Sequence, residues 1–325
     1  MKLKIANINL AILLFLTKQQ VLGLIILFIY SAIEFWRSPR IHKNYYLLII
    51  LVVFGTFMTI IGLYESAQNN FYVVNEFRYI LHLVLIATVA KKYGAASLDF
   101  SYLFIILFIF CGLTRGLNGI IMPIYAGVIL YLASPESFRG NRGLLGVFSG
   151  SGTTTLGILA ASNPFNQVLN IRKPHVFLVV VFGIIAMVLY QIWVRNRELN
   201  LESIDRLQLY FAFFSIMKNA TFMELMFGFG PGMNFLELTL ENDAPVFVWI
   251  NSKFGSHGVY SYLFHSDLIR LSLNYGVITM CLFYVTLARY IDSSVFKLLL
   301  VCGVFNPVLG TPSIILALII FGSRK

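Results

Sequence analysis

The sequence predicts an all-α, polytopic membrane helix bundle of about ten transmembrane helices with one large polar loop. Of its 325 residues, 58% are hydrophobic and 12% are charged. The mean hydropathy is +0.82, whereas a soluble domain carries about 25% charged residues. The apolar residues form long uninterrupted runs, which predict spanning helices rather than the alternating pattern of a membrane β-barrel.

The apolar runs define the helices in chain order. A crossing needs about 20 apolar residues, or somewhat fewer in a short helix. The segment 122–133 is apolar but short, so it is predicted to be re-entrant or interfacial. The first run has no small-residue cleavage site after Lys4, so we expect it to remain as a helix. Spans are predicted near 4–17, 20–36, 45–63, 76–90, 101–121, 151–170, 175–193, 266–291, 295–309 and 311–323.

These spans divide the chain into three parts that we expect to form a single functional unit. Residues 1–193 hold the N-terminal transmembrane helices, 194–265 the large polar loop, and 266–325 the C-terminal transmembrane helices. The three cysteines, Cys111, Cys281 and Cys302, lie in apolar runs and are predicted to be core residues.

Charge assigns the sides of the membrane. Most basic residues occur in short clusters between apolar runs, which is typical of cytoplasmic loops. The net charge of +10 therefore orients helices and does not indicate nucleic-acid binding. The long loop, with seven acidic and five basic residues between 195 and 264, falls on the opposite, exported side, and both termini are cytoplasmic. The orienting clusters are Lys2/Lys4, Arg37/Arg40/Lys43, Lys91/Lys92, Arg172/Lys173 and Arg324/Lys325.

Four arginines are predicted to lie on or near the outer side: Arg78, Arg139, Arg142 and Arg206. Ionisable residues in or beside a membrane tend to mark functional sites. Arginine offers a planar fork of donors that matches phosphate oxygens, so the set predicts a site for a lipid-linked phosphate or diphosphate. Alternatively, Arg78 snorkels to the interface, and Arg139 and Arg142 are cytoplasmic if 122–133 is a true span.

The start of the loop predicts an amphipathic helix along the membrane surface. Its apolar residues recur at helical spacing, and Asp205 is a candidate N-cap. Arg206 then lies at the positive end of the helix, where an anion is favoured. The GFGPG segment at 228–232 predicts a helix-ending turn, with a phosphate-binding nest of backbone amides as the alternative. The apolar residues are Leu207, Tyr210, Phe211, Phe214 and Met217.

His265 is the candidate general base. It lies where the loop meets the next span, and a histidine near neutrality can accept a proton. The structural alternative is a histidine that packs against the helix end, and His257 is the rival candidate in the loop. No paired-aspartate, Walker, HExxH or GxSxG motif occurs, so no metal and no cofactor are expected.

Several motifs between residues 76 and 280 have a counterpart in a known family. GFGPG precedes His265-Ser266, which is followed after nine residues by Gly276 and then by Thr279. RYILHLVLI contains Arg78, RGLLGVFSGSGTTTLG begins at Arg142, and RLQLY begins at Arg206. Together these segments resemble the bacterial O-antigen polymerase and O-antigen ligase superfamily. Ser266 departs from the asparagine usual in ligases, and the chain is short for the family.

The resemblance implies an inverting, metal-independent glycosyltransferase at the periplasmic face of the bacterial inner membrane. Its donor would be a glycan on undecaprenyl diphosphate. His265 would deprotonate the acceptor hydroxyl while Arg206, with Arg142, Arg139 or Arg78, holds the departing diphosphate.

We favour the polymerase branch, which joins repeat units into O-antigen or capsular polysaccharide. The first alternative is an O-antigen ligase that transfers glycan to lipid A core. A second, from another class, is a lipid-linked-oligosaccharide flippase, although such transporters usually show internal repeats and short loops. Expected partners are membrane lipid, a chain-length regulator and a flippase, and no nucleic acid is expected.

Overall fold

The computed structural model describes residues 25–26, 29, 45–65, 70–90, 123–133, 151–161, 205–235 and 259–321. These residues are mostly helical, and they contain no β-strand beyond an isolated antiparallel bridge between Asn234 and Tyr260. The helical part of the predicted fold class is therefore confirmed for the described residues. The helices are α1 (Tyr46–Glu65), α2 (Asn70–Leu85, continued by a π-helical turn Ile86–Ala90), α3 (Pro123–Ala133), α4 (Gly152–Ala161), α5 (Asp205–Asn219), α6 (Phe222–Phe227), α7 (Asp267–Tyr290), α8 (Ser293–Phe305) and α9 (Pro312–Phe321).

Two of the described helices, α1 and α7, are long and apolar enough to cross a membrane. Their spanning segments, Tyr46–Tyr64 and Asp267–Tyr290, have 19 and 24 residues and hydropathies of 2.5 and 1.6. Helix α1 also exposes an apolar stripe at helical spacing along its whole length, which lipid would cover in a membrane. The stripe consists of Tyr46, Ile49, Ile50, Val53, Phe57, Ile60 and Tyr64.

The first two helices form a closely packed antiparallel pair. A Cβ on Gly55 would come within 2.8 Å of the Ile80 side chain, so the glycine allows the helices to approach each other. At one end of the bundle, Tyr45 stacks on Tyr290 with ring centroids 6.4 Å apart. At the other end, the beginning of α2 lies beside residues 259–264. Tyr72 of α2 stacks there on Tyr260 and Tyr262.

Helix α7 is broken at Gly276, where φ is 79° and ψ is 168°. Asp267 Oδ2 and Tyr284 Oη lie 3.0 and 3.2 Å from the place where a Cβ on Gly303 would be. In a straight helix their Cα atoms would be about 25 Å apart. The two halves of α7 therefore bend sharply towards each other, and the predicted continuous span 266–291 is two half-helices.

The segment 122–133 contributes to the interior of the protein. Helix α3 packs against α9, α4 and α8, and Val128, Ile129 and Tyr131 are buried in the main core. This burial argues against the interfacial placement predicted as one option for the segment. Helix α3 has 11 residues, a length of about 16 Å, which is shorter than a bilayer core of about 30 Å.

Candidate functional site

His265 lies at the centre of a tight turn between a short 3-10 helix, Ser261–Leu263, and the start of α7. The amide of Ser266 donates to the carbonyl of Phe264 at 2.9 Å, which closes a three-residue turn around the histidine. Ser266 then caps α7, because its Oγ accepts from the Ile269 amide at 3.4 Å. The His265 side chain is exposed. The backbone of the candidate base is thus fixed on both sides while its imidazole remains accessible.

Helix α5 reaches this turn through Tyr210. The Tyr210 hydroxyl lies 3.2 Å from Ser266 Oγ and donates to the carbonyl of Val304 in α8. Burial raises the pKa of Tyr210, so its hydroxyl remains protonated at neutral pH and can donate to Val304, while the neighbouring Ser266 hydroxyl acts on the pKa in the opposite direction. Arg206 precedes Tyr210 by four residues, so their Cα atoms are about 6 Å apart along the helix. The helix that carries Arg206 is therefore docked one residue from His265.

The buried face of α5 differs from the predicted apolar face, because its buried residues are not those of the prediction. Leu209, Ala212 and Ile216 are buried in a cluster with Phe264, Ile269 and Leu273, which fixes α5 against the first half of α7. By contrast, two residues of the predicted face are 52% and 61% exposed, which leaves a surface available for lipid. These are Phe211 and Phe214. The helix includes Asp205 itself, so it begins one position earlier than the predicted N-cap implied.

Arg270 holds the backbone that leads into the histidine turn. Its Nε donates to the carbonyl of Phe264 at 2.9 Å, and its Nη2 donates to the carbonyl of Tyr262. On the other side, Nη1 lies 3.5 Å from Glu76 Oε1, and Asn274 Nδ2 donates to Glu76 Oε2 at 2.9 Å. Arg270 and Glu76 are 5% and 1% exposed, so this is a buried ion pair.

Asp267, two residues after the histidine, joins three elements of the bundle. One carboxylate oxygen accepts from the Tyr79 hydroxyl at 2.8 Å, and the other accepts from the Leu309 amide at 2.8 Å. The Leu309 carbonyl in turn lies 2.8 Å from His82 Nδ1. The connection between α8 and α9 is therefore tied to α2 and to the start of α7.

These contacts place Asp267 against the middle of α2. Tyr79 lies nine residues after Asn70 and eleven residues before Ala90, in the middle of α2 and its π-helical extension. The position of His265 at the boundary between loop and membrane remains a prediction.

Arg78 lies next to this network. The side chain is half-buried, its guanidinium carbon is 6.0 Å from the centroid of the Tyr79 ring, and Nη2 faces Gly310. Within the described part of the chain, its Nε atom is buried and has no hydrogen-bond partner. An arginine donor in this state favours an anion, because an unmade buried hydrogen bond costs about 1–3 kcal/mol. The candidacy of Arg78 as a phosphate ligand is strengthened by this geometry.

Three tyrosines stack beside the turn. The ring of Tyr72 in α2 lies 4.5 Å from Tyr262 and 5.0 Å from Tyr260, centroid to centroid. Burial, together with the hydrogen bond to Tyr72, raises the pKa of Tyr262 to about 12, so the hydroxyl is protonated at neutral pH. The stack attaches residues 260–262 to the first turn of α2.

The GFGPG segment crosses the break in α7. Gly228 ends α6, and its amide donates to the Glu224 carbonyl at 2.8 Å, which confirms the predicted helix-ending role. A Cβ on Gly228, where φ is 86°, would lie 2.6 Å from the backbone of Asn274 and Gly276. The Phe229 amide donates to the Leu273 carbonyl at 2.8 Å. The two backbones cross so closely that a side chain would not fit at Gly228 or at Gly276.

Of the predicted site residues, the structure describes His265, Arg78 and the backbone of Arg206. Arg139, Arg142 and the rival base His257 lie outside the described residues. Sequence reasoning missed Glu76 and Arg270, although charged residues inside apolar runs were a usable signal. The predicted core position of the cysteines holds for Cys302, which is buried, whereas Cys281 is exposed on α7 and Cys111 is not described.

No protein-family model, curated protein or solved structure matches this chain.

Proposed function

We propose that this protein is a membrane glycosyltransferase that polymerises undecaprenyl-diphosphate-linked repeat units at the periplasmic face of the bacterial inner membrane. The contact between Tyr210 and Ser266 carries the proposal, because it brings the helix of Arg206 to the turn of His265. This contact supports a shared site for a candidate base and a candidate diphosphate ligand that are 59 residues apart in sequence. Arg78, whose Nε has no hydrogen-bond partner among the residues that the structure describes, lies beside the same network and supports the assignment.

In the proposed reaction, His265 removes the proton from a hydroxyl of the acceptor sugar. That oxygen forms a bond to the anomeric carbon of the donor, and the bond from this carbon to the diphosphate oxygen breaks. The electron pair leaves with undecaprenyl diphosphate, and the anomeric configuration inverts. Arg206 and Arg78, with Arg142 or Arg139, stabilise the negative charge that develops, so the scheme requires no metal.

The membrane setting is supported by the exposed surfaces of two elements. The apolar stripe on α1 is unsuited to water, and α5 exposes Phe211 and Phe214 on the side opposite its buried face. Placed at a membrane, α5 would hold Arg206 near the headgroup region, where the diphosphate of a lipid carrier lies.

Two other functions make different predictions. An O-antigen ligase would use the same base and arginines but would accept lipid A core as the acceptor. A lipid-linked-oligosaccharide flippase would move the intact donor across the membrane and form no glycosidic bond. The exposed histidine in a fixed turn favours bond formation over transport.

Reconstitution of the purified protein in proteoliposomes tests the proposal. Supplied with undecaprenyl-diphosphate-linked repeats alone, the wild-type protein should produce a ladder of longer glycans and release undecaprenyl diphosphate. Transfer that occurs only when lipid A core is added would assign the ligase. Translocation of the lipid without any new glycosidic bond would assign the flippase.

A further inference from the structure

We infer that Arg270, supported by Glu76, is a positioning residue that fixes the turn presenting His265. This inference rests on the proposed function for its catalytic meaning, but the geometry stands independently of it. The Arg270 guanidinium donates hydrogen bonds to the carbonyls of Tyr262 and Phe264, the residues that lead into the turn.

The Phe264 carbonyl is the central acceptor of the turn. It receives the Ser266 amide at 2.9 Å and Arg270 Nε at 2.9 Å. The first bond closes the backbone around His265, and the second ties that closed turn to α7, four residues after Ser266. Movement of Arg270 would therefore displace the backbone that carries the imidazole.

Only an arginine can satisfy this arrangement. Three of its nitrogens point to three different oxygens, on Phe264, Tyr262 and Glu76. A lysine ammonium at the same position is a single charged centre and cannot span all three acceptors.

The buried charge pair has a positioning role that stability alone does not explain. Burying both charges is costly, and replacing a buried ion pair by apolar residues is often neutral or stabilising. Glu76 balances the charge of Arg270, and Asn274 holds the second carboxylate oxygen at 2.9 Å. Glu76 therefore orients the Arg270 guanidinium through Nη1, while Nε and Nη2 of the same guanidinium face the turn.

The test compares Arg270→Lys with wild-type protein in proteoliposomes, using two readouts. The first is turnover of undecaprenyl-diphosphate-linked repeats, separated into kcat and KM. The second is the rate at which diethyl pyrocarbonate modifies His265, measured by mass spectrometry of its peptide, with buried His82 as an internal reference. Arg289→Lys, an exposed arginine near the other end of α7, is the matched control.

For Arg270→Lys we expect kcat to fall by about 10- to 100-fold, because misplacing a catalytic group by about 1 Å can cost about 100-fold. KM should be unchanged, and the rate of His265 modification should change several-fold while that of His82 does not. Glu76→Gln should change kcat and the rate of His265 modification in the same direction as Arg270→Lys, but by a smaller factor. If Arg270→Lys fails to accumulate, Glu76→Gln takes its place in the test. Arg289→Lys should behave as wild type.

Wild-type kcat and wild-type His265 reactivity in folded Arg270→Lys protein would overturn the inference. So would a loss of activity that merely follows a loss of folded protein in both variants. If His265→Ala remained fully active, the proposed base would be wrong. An altered His265 modification rate in Arg270→Lys would then still establish that Arg270 fixes the turn, so the two failures are distinguishable.

Discussion

Tyr210 and Ser266 show how single side chains assemble the candidate site. Each is joined to α8 by a backbone carbonyl: Tyr210 donates to Val304, and Ser266 Oγ donates to Gly303 at 3.1 Å. Helix α5 and the histidine turn are therefore held by the same end of α8. This common support brings the backbone of the helix that carries Arg206 to the turn of His265.

The residue expected to bind the diphosphate most directly is Arg206. Arg206→Ala should abolish long glycan chains, and Arg206→Lys should largely fail as well, because a point charge does not replace the two-pronged guanidinium. Lys218→Ala, which removes an exposed cation at the other end of α5, should leave chain length unchanged. Gel analysis of the glycan, normalised to membrane protein, measures the effect. Full-length polymer from well-expressed Arg206→Ala protein would remove Arg206 from the site.

Arg78 is expected to act on substrate rather than on folding. Its Nε makes no hydrogen bond within the described residues, so Arg78→Ala removes no Nε hydrogen bond from that part of the fold. We expect normal membrane abundance, a raised KM for the lipid-linked donor and shorter chains. Kinetics in proteoliposomes and quantitative immunoblotting check both parts. A large drop in abundance with unchanged turnover per molecule would instead make Arg78 a packing residue.

At the scale of the elements, the decisive feature is the crossing of the GFGPG segment over broken helix α7. The backbone of Gly276 lies against the carbonyl of Met226, and a side chain at Gly276 would overlap it. Likewise, Pro231 of the same segment lies against Gly62 of α1. The crossing joins α1, α6 and α7, and it allows the first half of α7 to bring Asp267 to the middle of α2.

A matched series of glycine variants tests this crossing. Gly276→Ala combines a backbone conformation almost restricted to glycine, worth about 1–3 kcal/mol, with steric overlap. Gly230→Ala carries the same type of strain at φ 91° but has open space, and Gly152→Ala has neither. Membrane abundance and the midpoint temperature of thermal unfolding should therefore both be highest for Gly152→Ala, lower for Gly230→Ala and lowest for Gly276→Ala. Equal stability of the Gly230 and Gly276 variants would contradict the close crossing.

At the scale of the whole molecule, hydropathy predicted the positions of most described helices. The run 45–63 corresponds to α1 at Tyr46–Glu65, and the loop helix begins at Asp205. The run 76–90 corresponds to a helix that begins earlier, at Asn70, and Tyr72 in its first turn stacks on Tyr260 and Tyr262. Apolar periodicity is a local property, so these elements were accessible from the sequence.

The internal contacts of the site could not be predicted from the sequence in the same way. Glu76 and Arg270 are 194 residues apart, and Tyr79 and Asp267 are 188 apart. Such pairs depend on how helices pack, which a single sequence does not encode locally. Gly276 was noted only as part of a motif, and its role in bending α7 depends on the Met226 backbone that crosses it.

The orientation of the molecule is the prediction that belongs to this scale. The basic clusters between apolar runs predict that loop 194–265 is periplasmic and that both termini are cytoplasmic. A reporter active only in the periplasm should therefore work when fused after Asn219 and fail when fused after Lys325. A cytoplasmic reporter provides the complementary control at both sites. The reverse pattern would show that the orientation is wrong.

The most direct test of the central claim is the effect of His265→Ala on glycan chain length and membrane abundance in the same cells. The imidazole is exposed and the turn is closed by backbone groups, so we expect normal abundance. Loss of one positioned base costs about 10²–10⁴-fold in rate, so the polymer ladder should disappear. Near-normal polymer at near-normal abundance would contradict the catalytic role of His265 and make His257 the next candidate.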